Sequence, residues 1–169
     1  MAKPYIAPKP ERLPEYGYEE VSANRSCPEH ERGWNTKVQE QDMPTILVVD
    51  DHEEIREALA EILEEEGHEI LQAADGLLAL EVIASSKPDV VLLDIAMPGM
   101  DGLETLRRLK DQPESSSLPV IMVTAQGDRQ NMVKAVQLGV RDYVTKPWEP
   151  GEVEMCVNWA LKVANVAAA

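Results

Sequence analysis

Four short apolar runs and one more mixed one punctuate most of this chain: TILVV (45–49), HEILQAA (68–74), DVVLLD (89–94), LPVIMVTA (118–125) and RDYVT (141–145). TILVV, continuous and rich in β-branched residues, predicts a strand buried on both faces, and the other four runs predict further strands. Between them the periodicity changes to that of a helix. Ile55, Leu59, Ile62 and Leu63 share one helical face, with Gly67 as the stop. Leu77, Leu80, Ile83 and Ala84 mark a second face, ended by Lys87-Pro88. Leu103, Leu106 and Leu109 in LETLRRLKD mark a third. RQNMVKAVQLG, closed by Gly139, gives a fourth helix, and residues 150–166 a fifth. Strand and helix in strict alternation predict an α/β fold, a doubly wound five-stranded parallel sheet with helices on both faces.

Residues 1–43 break this rhythm. They carry prolines at 4, 8, 10, 14 and 28 and few aliphatics, the composition of an extended or disordered arm. Residues 44–169 are the size of one compact domain. The arm has six Lys and Arg against eight Asp and Glu, so −13 of the total charge of −15 falls on the domain. That balance, with no basic stripe, argues against nucleic acid and against an anionic membrane surface as partners. No apolar stretch is long enough to insert in a bilayer. Cys27 and Cys156 form no CxxC, and a reducing cytosol is the expected compartment. Tyr5, Tyr16, Tyr18 and Trp34 could anchor the arm to a partner, although a solvated tail is the plainer reading.

The chemistry gathers at the carboxyl ends of the strands. The first ends in Asp50-Asp51, the third in Asp94, the fourth in Thr124-Ala125, and the fifth runs into Lys146-Pro147. In an open parallel sheet, ligands bind outside these ends, where strand order reverses. Three carboxylates in one crevice repel unless a cation joins them. Oxygen-only donors select a hard divalent ion, Mg²⁺ or Mn²⁺. A metal beside a carboxylate nucleophile, a hydroxyl and an ammonium suits phosphoryl transfer. No GxxxxGK loop is present, so a bound nucleotide is not the expected donor.

The motifs VVDD, LLDIAMPGMDG, VTA and DYVTKPW, in this order over residues 44–166, resemble the receiver domain of two-component response regulators, the CheY-like family. The resemblance implies the flavodoxin-like strand order 2-1-3-4-5. It implies that Asp94 is the phospho-acceptor and that Asp50, Asp51, Asp94 and the backbone carbonyl of Ala96 hold Mg²⁺. Thr124 and Lys146 would contact the phosphoryl group, and Lys146-Pro147 would be a cis peptide. Tyr143 matches the aromatic switch position, which works together with Thr124. Ala96 and Gln126 flank the site where phosphoryl lifetime is tuned. The implied partners are a sensor histidine kinase or phosphotransfer protein and a downstream protein target. The target would be met on the face of the fourth helix, fifth strand and fifth helix, through which two copies could also form a homodimer. No DNA-binding output module is expected, and self-phosphorylation and self-dephosphorylation are the only catalysis.

Simpler readings compete residue by residue. Asp50 or Asp51 could cap the following helix, and His52 reads as an exposed residue of its first turn. Met97, Met100, Met122, Met132 and Met155 read as core or loop packing. Trp148 and Trp159 should pack around the last helix or its partner face. Two other functions use similar parts. A phosphatase with an aspartyl-phosphate intermediate needs a second acid/base Asp just after the nucleophile, where this chain has Ile95-Ala96-Met97. A receiver-fold subunit of a larger assembly would dock through the arm.

Overall fold

The computed structural model describes residues 43–125 and 128–168. The arm expected over residues 1–43 therefore lies outside the described residues except for Met43, as does Gln126. The elements run β1 (Thr45–Val49), α1 (Glu53–Glu65), β2 (Glu69–Ala73), α2 (Gly76–Ser86), β3 (Val90–Asp94), α3 (Gly102–Asp111), β4 (Val120–Ala125), α4 (Arg129–Gln137), β5 (Asp142–Lys146) and α5 (Glu152–Ala168). All strand pairs are parallel and the order is β2-β1-β3-β4-β5. The expected fold and strand order are both found.

Side chains alternate across each strand, so one sheet builds two cores. On one face Leu47, Val49, Val91, Leu93, Val120 and Met122 pack with buried residues of α2, α3 and α4. On the other Ile46, Val48, Leu92, Ile121, Val123 and Val144 pack with Leu59 and Leu63 of α1 and Val153 and Val157 of α5. Each fully buried aliphatic side chain contributes roughly 1.5–3 kcal/mol. Two such layers hold the strand ends in register.

The α1 stop falls as expected, with Gly67 at φ +86°. Two readings of side-chain placement fail. The buried stripe of α2 is Gly76, Ala79 and Ile83, while Leu77 and Ala84 are exposed. GLLALEVIASS is apolar nearly all round, so periodicity could not choose its face. Close approach of α3 chose it: a Cβ on Gly76 would lie 2.1 Å from Thr105 Oγ1. Met155, read as packing, is 67% exposed on α5, and Trp159 on the same helix is also exposed. Trp148 does pack against the α1–α5 core.

Candidate functional site

Register brings the acidic residues together. Val49 of β1 pairs with Leu93 of β3, so Asp50 and Asp94 leave the sheet side by side. Asp94 pairs with Val123, Thr124 with Thr145, and Ala125 with Lys146. Four strand ends thus converge within two residues of one edge. Lys146 Nζ donates to Asp50 Oδ2 at 2.5 Å and to Asp94 Oδ1 at 3.0 Å. The Lys146-Pro147 peptide that follows is cis, as expected.

Asp50 is 1% exposed and Asp94 3%. A buried carboxylate without partners is disfavoured by several kcal/mol. Asp50 is compensated by Lys146 and by the His52 amide, which donates to its Oδ1 at 2.9 Å. Arg56 of α1 reaches back to the Asp50 carbonyl at 2.7 Å. Asp94 has less help. Burial pushes its carboxyl above the usual range, partly opposed by Lys146 and reinforced by the charges of Asp50 and Asp51. Burial works to lower Lys146, but the hydrogen bonds and charges of Asp50 and Asp94 outweigh it, and the ammonium is held above its ordinary value. Asp94 Oδ1 is taken by Lys146, and its Oδ2 accepts no hydrogen bond among the described residues.

Thr124 is buried, and its hydroxyl makes only a long 3.4 Å contact to the Ala125 carbonyl. Ala96 lies exposed on the loop after β3. Tyr143 stands half-exposed on β5. The competing capping role for the acidic pair is not seen: the N-cap of α1 is His52, without a side-chain cap hydrogen bond.

Whether this pocket suits a divalent cation can be judged from its donors. Asp51 Oδ1 is buried and, among the described residues, accepts no hydrogen bond. His52 Nδ1 lies 2.9 Å from it without the alignment of a hydrogen bond. A buried carboxylate oxygen left without a donor, in a crevice of three carboxylates and one ammonium, fits a hard cation. Asp50, Asp51 and His52 each offer one donor atom to a group whose members lie within 4.8 Å of one another.

Sequence reasoning missed three contributors. The sequence marks His52 only as an exposed residue of the first helical turn and Gly102 only as part of LLDIAMPGMDG, and it does not single out Arg56. Gly102 lets α3 press against the Asp94 backbone: a Cβ there would lie 2.0 Å from the Asp94 carbonyl oxygen. The MDG sequence before α3 was the available signal.

Residues 46–158 match the family model for the response regulator receiver domain. The chain is 44% identical over 109 residues to the phosphate regulon transcriptional regulatory protein PhoB of Pseudomonas aeruginosa, covering 64% of this chain and 48% of that protein. It thus spans about half the length of that relative. It is 40% identical over 113 residues to sporulation initiation phosphotransferase F of Bacillus subtilis, covering 67% of this chain and 90% of that protein. Among solved structures, the receiver domain of NtrX from Brucella abortus aligns with a TM-score of 0.66 at 38% identity, covering 69% of this chain and 98% of that one. With the fold, the acidic pocket and these matches in agreement, the chain belongs to the response regulator receiver domain family of two-component signalling.

Proposed function

We propose that this chain accepts a phosphoryl group on Asp94 from a phosphohistidine of a sensor kinase or phosphotransfer protein. The observation that carries the reading is Lys146 Nζ, which bridges Asp50 Oδ2 and Asp94 Oδ1. One cation already sits between the carboxylates where phosphoryl oxygens would arrive. Asp94 Oδ2 attacks phosphorus, and the P–N bond to the donor imidazole breaks with its electron pair staying on nitrogen. Lys146 and the Thr124 hydroxyl take up phosphoryl oxygens as charge shifts onto them. Asp50, Asp51, Asp94 and the Ala96 carbonyl would hold Mg²⁺, which when bound neutralises phosphoryl charge.

The signal leaves through the face of α4, β5 and α5, where Tyr143 serves as the switch and a downstream protein docks. The cytoplasm suits this chemistry, and among the described residues no helix is long and apolar enough to cross a membrane. Ala96 and Gln126 would tune how water reaches the acyl phosphate. The phosphatase reading has less support, since Ile95-Ala96-Met97 offers no second acid/base carboxylate beside the nucleophile.

The test is intact mass after incubation with acetyl phosphate and Mg²⁺. Wild type should gain one phosphoryl group, Asp94→Ala none, and EDTA should prevent the gain. A full label on Asp94→Ala overturns the assignment.

A further inference from the structure

His52 brings an imidazole to a pocket of carboxylates and an ammonium. Its position follows from the backbone. Asp50 Oδ1 accepts the His52 amide, which turns the chain so that the imidazole lies over the acidic pair. Nδ1 then stands 2.9 Å from Asp51 Oδ1 and 3.3 Å from Asp50 Oδ1. Donors about 2.1 Å from an octahedral metal lie about 3.0 Å from one another. The imidazole nitrogen stands near that spacing from each carboxylate oxygen, and all three donor atoms lie within 4.8 Å of one another. Lys146 does not occupy this side, because it binds the other oxygen of Asp50.

We propose that His52 is a metal ligand of the phospho-acceptor pocket, making it an oxygen-and-nitrogen site that raises affinity for a first-row transition ion such as Mn²⁺ relative to Mg²⁺. The inference rests on the acidic pocket being the metal site of the proposed function. Its physical basis is donor softness. Magnesium takes oxygen almost exclusively, whereas imidazole raises affinity for first-row transition ions. Two observations support it together. Asp51 Oδ1 is a buried oxygen without a hydrogen-bond donor among the described residues. The neighbouring imidazole caps no helix amide through its side chain and is 66% exposed, so it is available to an ion arriving from solvent. The competing role for the ring is a plain N–H donor to Asp50 at 3.3 Å.

The test uses the full chain at one fixed pH. Mn²⁺ and Mg²⁺ affinities are measured by calorimetry for wild type, His52→Asn and Asp51→Asn. The Mn²⁺-loaded proteins are then read by electron spin-echo envelope modulation, which detects a directly bound ¹⁴N. Wild type should show imidazole nitrogen coupling that His52→Asn lacks. The ratio of Mn²⁺ to Mg²⁺ affinity should fall about tenfold in His52→Asn, the size expected for loss of one supporting group at a metal site. Absence of nitrogen coupling in wild type, with an unchanged affinity ratio in His52→Asn, overturns the proposal. If Mg²⁺ binding and phosphoryl uptake are intact in that case, the proposed function stands and only the ligand role of His52 falls. If Asp51→Asn binds both ions as wild type does, the pocket is not the metal site and both readings fall.

Discussion

Asp94 holds a charge that its surroundings do not welcome. Burial raises its carboxyl, and Asp50 and Asp51 add to the effect. One ammonium serves two buried carboxylates, so the metal-free site is under-compensated and folding works against it. Asp94→Asn should therefore stabilise the metal-free protein while abolishing phosphoryl uptake. In EDTA its Tm should rise by a few degrees, the shift that about 1 kcal/mol produces in a domain of this length. Adding Mg²⁺ should raise wild type more than the variant. A Tm in EDTA at or below wild type would show that Lys146 already balances the site. These residue types were legible in the sequence because they stand at predicted strand ends. The Lys146 bridge was not, since which oxygen an ammonium chooses depends on register between strands separated by many residues. His52 was missed for a related reason: a histidine after an acidic pair carries no pattern until the backbone turn aims its ring.

At the scale of elements, α3 packs directly against the backbone of Asp94. Gly102 donates its amide to the Ile95 carbonyl at 3.0 Å, and its missing side chain leaves room for the Asp94 and Ile95 backbone. That neighbour is backbone and cannot rotate aside. Gly102→Ala should destabilise the fold by about 1–3 kcal/mol, as overpacking of a tight contact does. It should also slow phosphorylation, read as denaturation midpoint and as rate of acetyl-phosphate labelling. Normal values of both would mean that α3 shifts freely.

The outer face of α3 acts more weakly. Glu104 takes hydrogen bonds from Arg107 and Arg108, which hold its carboxyl down at about 2. A depressed carboxyl stabilises above its unfolded value and loses that contribution as pH falls through the folded one. Glu104→Gln should thus lower the midpoint slightly at neutral pH, with the difference shrinking between pH 4.5 and about 2. Because the group is exposed, molar salt should erase it too. A deficit that persists in high salt would point to packing instead. Element types and order could be read from periodicity, because strands buried on both faces and amphipathic helices write different patterns. The face of α2 could not be read. An all-apolar helix is oriented by where a neighbour can approach, and Gly76 against Thr105 settles that only in three dimensions.

At the scale of the molecule, the sheet links the pocket to a surface. Val123 and Val144 belong to the α1–α5 core, so their neighbours Thr124 and Tyr143 both project to the α4 side. Tyr143 pairs with Met122, two residues before Thr124 on the adjacent strand. Movement of Thr124 toward a phosphoryl group would open space on that side, beside an aromatic ring that is now 44% exposed. Val133 and Val136 of α4 and Met155 and Trp159 of α5 are exposed as well. On the proposed α4–β5–α5 docking face, a ring leaving the surface would change its shape without unfolding anything. Beryllofluoride with Mg²⁺ should accordingly protect Tyr143 from hydroxyl-radical labelling, while Trp159 stays reactive as an internal reference. Thr124→Ala should still bind the phosphoryl mimic, seen by ¹⁹F signal, yet leave Tyr143 reactive, since no hydroxyl pulls the fourth strand's end inward. Equal labelling of Tyr143 with and without the mimic in wild type would mean that the pocket and this face are not coupled through the Thr124–Tyr143 pair.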